Sequence, residues 1–349
     1  MNIRERILAA LNWEEPDQVP LLIYDFHFPR GFAERLLREG GVGLVLRPPA
    51  HQVEHRQVEI DSREYWESGR KFIRKTYRTP VGDIWQTLVP ESAYDTGYWI
   101  QDHFIKEPDD YRVIEFVLED VIYHDNYEFI NEVKRRIAGD GLVYVRVAKV
   151  PVQEMLYQIM GLERYSLDYH LRRDLFDSLH NCMLKKYDEL INLAAEAPVE
   201  IIMLGDNITS DMIGEERYRN YCMPFYKRFR DKLSGTEKKL ASHMDGRLAS
   251  IKNAIAEAEL DIVEGLTPPP MGDVSIKEAR EIWPNKALWI NFTSSLHIEA
   301  PEVIEAHTRQ LLDEAGSKPG FAICVTEDAP VEALERSLGV ISHVLEEYK

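Results

Sequence analysis

The stretch SHMDGRL, Ser242 to Leu248, carries a histidine and an aspartate two residues apart. On an extended chain His243 and Asp245 point the same way. Such a pair can serve as two metal ligands or as an acid/base couple. It can equally be a polar strand end followed by a helix cap. A short apolar run, KKLASHM (238–244), leads into it, so the pair sits at the end of a predicted strand.

Other predicted strands end in the same polar way. Their ends supply Tyr24, Asp25 and His27, then Arg47, then Arg146 and Lys149. Asp206 and Asn207, Glu264, Asn291, and Thr326 with Glu327 complete the series. Buried acids and histidines are costly unless they are paired or bound to a metal. Taken singly, Asp245, Glu264 and Glu327 read as helix caps or salt-bridge partners. As a set, His243, Asp245, Glu264 and Glu327 read as ligands of Zn²⁺, with Mn²⁺ and Fe²⁺ as less specific options. Asp206, in LGDNITS, is either a cap or a group that orients His243 or holds a substrate hydroxyl. Tyr24, Phe26 and His27 suggest an aromatic rim. Cys324 sits mid-strand and reads as a buried thiol, and Cys182 and Cys222 as core. His297, His307 and His343 read as surface or helix residues without a role.

These side chains need elements to position them, and the sequence supplies eight apolar runs. They are VPLLIY (19–24), VGLVLRP (42–48), LVYVRVAKV (142–150), EIIMLGD (200–206), KKLASHM (238–244), DIVEGL (261–266), ALWINF (287–292) and FAICVT (321–326). Helical patterns separate most of them. Phe176, Leu179, Met183, Tyr187, Leu190 and Ala194 keep the 3–4 spacing of one buried helix face, as do Leu334, Leu338, Ile341 and Leu345. SIKE, Ser275 to Glu278, is a capping-box signature. Eight strands alternating with helices predict a closed (β/α)₈ barrel, in which chemistry sits at the C-terminal strand ends. Residues 52–104 alternate polar and apolar around turn chemistry and predict an antiparallel β insertion after strand two. Helical patterns are expected through 107–139. No linker or repeat marks a boundary, so one barrel domain over 1–349 is expected.

Composition narrows the function classes. The formal charge is -18, from 60 acids against 42 bases, and no basic block offers a nucleic-acid face. Three scattered cysteines do not make a disulfide framework. No signal-peptide pattern and no apolar run of membrane-spanning length is seen, so a soluble, cytoplasmic protein is expected.

The residues also carry a family resemblance. RERILAALNWEEPDQVPL resembles the N-terminal signature of the uroporphyrinogen decarboxylase superfamily, and LGDNITSDMIGEERYRNYCMPFYKRF resembles a later segment of it. SHMDG falls where relatives carry a His-x-Cys pattern, and DIVEGLTPP matches their next strand. The resemblance spans essentially the whole chain and implies a (β/α)₈ barrel. The superfamily holds cofactor-free tetrapyrrole decarboxylases and zinc methyltransferases that work with corrinoid proteins. The decarboxylases' arginine-rich segment after the first strand is missing, since DFHFPRGF offers only Arg30.

The methyltransferase branch fits better. Its histidine ligand is matched by His243 and its acid on the next strand by Glu264. The first thiolate position holds Asp245, and the later one falls near Glu327, with Cys324 three residues too early. Harder carboxylate ligands suit an oxygen substrate better than a thiol. The resemblance therefore implies the first methyltransferase of an O-demethylase system, with Zn²⁺ as Lewis acid. Its methyl group would pass from a methoxylated, aromatic donor to the cob(I)amide of a separate corrinoid protein, since this chain has no DxHxxG cobalamin motif. His243 and Asp206 are the expected catalytic residues. Tyr24, Phe26, His27, Asn207 and Asn291 are the expected substrate-binding residues. The expected partners are the corrinoid protein and a small-molecule methyl donor, with a homodimer as an option and neither nucleic acid nor membrane. The alternative is a metal-free decarboxylase or lyase that uses Asp206 and His243 as acid and base.

Overall fold

A computed structural model describes residues 1–90 and 97–348; residues 91–96, inside the predicted 52–104 insertion, and Lys349 lie outside the described residues. The chain divides into two compact units. The first comprises residues 1–50, 126–147 and 194–349, and the second 51–125 and 148–193.

The first unit opens with strands β1 (Leu21–Tyr24) and β2 (Val42–Leu46). The second unit supplies β3 (His51–His55), β4 (Glu59–Glu67), β5 (Arg70–Thr79), β6 (Gly82–Pro90), β7 (Tyr98–Asp102) and β8 (Val121–Asp125). The first unit resumes with β9 (Gly141–Val143), β10 (Val145–Arg146), β11 (Ile201–Leu204), β12 (Lys239–His243), β13 (Ile262–Leu266), β14 (Ala287–Asn291) and β15 (Phe321–Val325).

The first unit is the predicted barrel. Its strands pair in parallel in the order β10-β11-β12-β13-β14-β15-β1-β2-β9. The two ends of that ladder, β9 and β10, are consecutive pieces of one stretch, 141–146, so the ladder closes into a ring of eight. Tyr144 N–H donates to the Leu46 carbonyl at 3.2 Å and Val147 N–H to the Met203 carbonyl at 3.1 Å, which ties the closing stretch to both neighbours. Parallel strands covered by helices read as continuous apolar runs, and β1, β11, β14 and β15 are buried along their whole length.

The barrel interior follows the two-residue period of strands. Leu22 and Tyr24, Leu142 and Tyr144, Ile201 and Met203, and Ala322 and Cys324 all face it. Ile7 and Leu11, from the helix Ile3–Leu11, join the same core. The RERILAALNW motif is thus a structural plug that adds apolar surface to the barrel core. Asn2 caps this helix, with its side chain accepting from Glu5 N–H and Glu5 returning a carboxylate to Asn2 N–H.

In the second unit, β4 to β7 form the predicted antiparallel meander. β3 pairs instead with β8 in a separate two-stranded antiparallel sheet. The helical expectation over 107–139 is therefore corrected: helices Asp110–Asp120 and Tyr127–Ile137 flank a strand. VIYHD, the β8 sequence, has the branched and aromatic residues of a strand, and pairing with β3 decides its state. Most of the predicted amphipathic helix, observed as Arg173–Glu196, also lies in this unit. Among the described residues no helix is long and apolar enough to cross a membrane.

Candidate functional site

Parallel register brings the first two groups together. His243 and Glu264 are direct partners across β12 and β13. The next residue, Gly265, lies at an irregularity in β13 and has φ +78°. A Cβ there would sit 2.6 Å from His243 Cε1, so only glycine lets the imidazole lie against this backbone. His243 Nδ1 then bonds Glu264 Oε2, and Nε2 lies 3.4 Å from Asp245 Oδ2. From β1, the Tyr24 hydroxyl donates to Glu264 Oε1 at 2.5 Å.

Glu264 is fully buried. A carboxylate tolerates that only when its charge is paired and its lone pairs are bonded. Both of its oxygens are engaged here. Burial opposes a charge on His243, but the Glu264 and Asp245 carboxylates outweigh it and push the imidazole pKa up to about 10. The ring is an imidazolium at neutral pH. Burial, reinforced by the Glu264 charge, raises the Tyr24 phenol well above its usual range.

A cation and aromatic rings surround this core. The Arg47 guanidinium stacks 3.5 Å from the Tyr24 ring centroid and 4.7 Å from that of Phe26. It also bonds the buried Tyr144 hydroxyl. The His27 and Phe26 rings touch, with centroids 4.0 Å apart, and His27 Nδ1 meets Asp328 Oδ1 at 3.0 Å. Phe26 keeps 46% of its surface exposed, so the rim offers an accessible aromatic face.

The structure thus brings His243, Asp245, Glu264, Tyr24, Phe26 and His27 into one contact network. The other expected residues stand elsewhere. Asp206, fully buried, accepts from the Ser242 hydroxyl at 2.6 Å and the Tyr226 hydroxyl at 2.9 Å. Asn207 follows it with φ +52°, an uncommon conformation for a non-glycine residue. The two loops are stitched together: Ile208 N–H donates to the His243 carbonyl at 3.1 Å and Ser210 N–H to the Arg247 carbonyl at 2.7 Å. Asn291 is buried, with its amide oxygen accepting from Thr326 N–H at 3.0 Å and its amide nitrogen 3.4 Å from Thr267 Oγ1. Glu327 is half-buried just past β15, and Cys324 is fully buried within it. His297 is not a surface residue. It is fully buried, with Nδ1 2.7 Å from the Ser337 hydroxyl.

The donor set sets the terms for a metal. Two ligands of a tetrahedral zinc with bonds of about 2.0–2.1 Å lie roughly 3.4 Å apart. That is the separation of His243 Nε2 and Asp245 Oδ2. Once Nε2 has lost its proton, these two donors fit one cation without moving. Glu264 stands behind the imidazole, in the place of the carboxylate that commonly orients a metal-bound histidine. Among the described residues no three His, Cys, Asp or Glu side chains form a ready cage. A third ligand requires a carboxylate to swing.

Several residues of this network carry no role in the sequence reading. Arg47 stood at a strand end and alternation turns it inward, but its stacking on Tyr24 depends on the register of β1 and β2. Tyr144, Ser242, Tyr226 and Asp328 were equally silent, because their partners are far off in sequence.

Residues 107–340 match the family described as Uroporphyrinogen decarboxylase (URO-D). A methyltransferase from Methanosarcina mazei shares the fold at 13% identity and a TM-score of 0.58, covering 98% of this chain and 99% of that one. A B12-independent methionine synthase from Shewanella sp. W3-18-1, solved with selenomethionine, aligns at 12% identity and a TM-score of 0.45, covering 75% of this chain and 74% of that one. No curated protein matches the sequence.

Proposed function

The chain belongs to the uroporphyrinogen decarboxylase family, and from that premise we propose that it is a methyltransferase moving a methyl group from a methoxylated aromatic substrate to the cob(I)amide of a separate corrinoid protein. The observation that carries this reading is the meeting of His243, Asp245 and Glu264 at the ends of adjacent barrel strands. One nitrogen with carboxylate oxygens is a hard donor set, suited to a metal that activates an ether oxygen. The chemistry Zn²⁺ supplies in such a place is Lewis-acid stabilisation of a departing phenolate.

The chain's own residues do the rest. His243 Nε2 and Asp245 offer the first two donors. Glu264 holds the imidazole through Nδ1, and Tyr24 holds Glu264. Glu327, or Glu264 after release from His243, supplies the third. Phe26, His27 and Tyr24 line the aromatic side, while Asn291, buried, braces the ends of β14 and β15 by accepting from Thr326 N–H. Asp206 fixes the start of the β12 loop through Ser242, which precedes His243. His243 must lose its proton to become a ligand, so metal uptake releases a proton and weakens as pH falls.

The test is metal analysis of purified wild type and His243→Ala, followed by a methoxyarene screen with a reduced corrinoid protein. Wild type should hold about one zinc per chain and the variant none. Undiminished zinc in the variant puts the site elsewhere.

One observation favours a second reading. His243 sits between two carboxylates, which keep the imidazole protonated without any metal. A metal-free decarboxylase or lyase of the same family would use it with Asp206. Substrate turnover by zinc-free protein without corrinoid selects this alternative.

A further inference from the structure

The four-stranded sheet of the second unit ends on two unequal edges, β4 and β7. β7 is five residues long and follows a register shift in its pairing with β6. β4 is nine residues long, pairs with β5 without a bulge from Glu59 to Glu67, and is exposed along nearly its whole length. It contains no proline. Proteins usually blunt such an edge, because a long, regular, uncovered strand is a template for another chain.

The open side of β4 follows from its turn. Ser68 and Gly69 have φ +50° and +77°, the positive values that a two-residue type I′ hairpin requires. Glu67 and Arg70 are then the hydrogen-bonded pair that closes the turn. Counting back by twos, the odd-numbered residues bond to β5. Ile60, Ser62, Glu64 and Trp66 turn their backbone N–H and C=O groups outward. The two apolar side chains among them, Ile60 and Trp66, are 43% and 71% exposed. On the other face Arg63 stands directly opposite Arg74, a like-charge pair that an acid on the open side would relieve.

We propose that β4 pairs antiparallel with β4 of a second copy of this chain, centred on Ser62. The charge pattern selects this register. Residues that oppose each other share a face of the sheet, so a two-fold axis must set one residue opposite itself. A centre on Glu59, Asp61, Arg63, Glu64 or Glu67 sets a charge against itself, and one on Ile60 sets Glu59 against Asp61. Centres on Tyr65 and Trp66 run within a few residues into the turn at Ser68. Ser62 alone pairs the whole strand and opposes no like charges. It exchanges both backbone bonds with its counterpart and sets Asp61 opposite Arg63 on each side of the axis. Those are non-hydrogen-bonded positions, where side chains come closest. Ile60 lies diagonal to Trp66 of the second copy, so both exposed apolar groups gain a neighbour. The hairpin 59–79 carries six bases and four acids in a chain of net charge -18. Two copies therefore meet here without the repulsion that the acidic remainder would bring.

The experiment is sedimentation velocity of the full chain over a concentration series reaching about 100 μM. Wild type should pass from monomer to dimer. Ser62→Pro removes an outward N–H and leaves the β4–β5 ladder intact. Arg63→Glu makes both contacts with Asp61 repulsive. Each should weaken the dimer by about tenfold or more. The double variant Asp61→Arg/Arg63→Glu reverses both charges and should restore dimerisation to within about threefold of wild type. That restoration keeps the test valid if Ser62→Pro fails to fold, since both charged positions are exposed. A wild type that stays monomeric, a dimer that survives Ser62→Pro and Arg63→Glu unchanged, or a double variant as weak as Arg63→Glu alone overturns the proposal.

Discussion

Replacing Gly265 by alanine puts a methyl group where the site's histidine lies. Two costs follow. The backbone at φ +78° is left-handed, which costs an L-residue about 1–2 kcal/mol. The new Cβ would also stand 2.6 Å from His243 Cε1 and 2.7 Å from Nδ1. Carbon contacts settle near 3.5 Å, so the imidazole must retreat by roughly 1 Å. That breaks its bond to Glu264, a charged hydrogen bond worth about 1.5–3 kcal/mol. Gly316 is the control: its φ is +68°, and nothing lies within 4 Å of the Cβ it would carry. Gly316→Ala should cost only the backbone strain, and Gly265→Ala about 2.5–5 kcal/mol in all. The assay is urea unfolding of both variants after chelation, with the His243 ring followed by NMR. In Gly265→Ala the His243 pKa should fall from about 10 toward the ordinary value. Equal losses in the two variants, or an unmoved His243 titration, would refute the packing argument.

Three further outcomes are expected. Tyr24→Phe leaves one oxygen of the fully buried Glu264 without its donor and should cost about 1–3 kcal/mol in urea unfolding, while Phe26→Leu at the exposed rim should cost little. His297 is pushed down to about 4 by burial, below the roughly 6.5 of an unfolded chain. Between those values the unfolded state binds the extra proton. The contribution is therefore complete above about pH 6.5, and up to about 3 kcal/mol is lost as pH falls toward 4. Urea midpoints at pH 7 and 4.5 should differ less in His297→Gln than in wild type; identical pH dependence would be the contrary result. Cys324→Ser should retain zinc, because that thiol is buried among barrel residues and burial raises its pKa well above the usual range.

The eight barrel strands were legible because helix-covered parallel strands are apolar on both faces, and each apolar run of the sequence contains one. Strand ends were legible as places for chemistry for the same reason: His243, Asp245 and Glu264 are conspicuous after KLAS and IV. Contacts that depend on register were not. Nothing near Tyr24 in sequence says that its hydroxyl reaches Glu264, 240 positions on. The role of Gly265 was hidden because a glycine beside a strand end has many uses. VIYHD was hidden inside helical flanks, and its partner, β3, lies some 70 residues earlier. His297 read as a surface or helix residue because its burial depends on Ser337, from another helix.

Methyl transfer to cobalt is read directly from the visible spectrum of a reduced corrinoid protein mixed with zinc-loaded chain and a methoxylated aromatic substrate. Loss of the cob(I)amide band and growth of the methylated corrinoid spectrum should proceed in step with release of the phenol, in wild type and not in His243→Ala. Release of the phenol at the same rate with the corrinoid protein left out would contradict it.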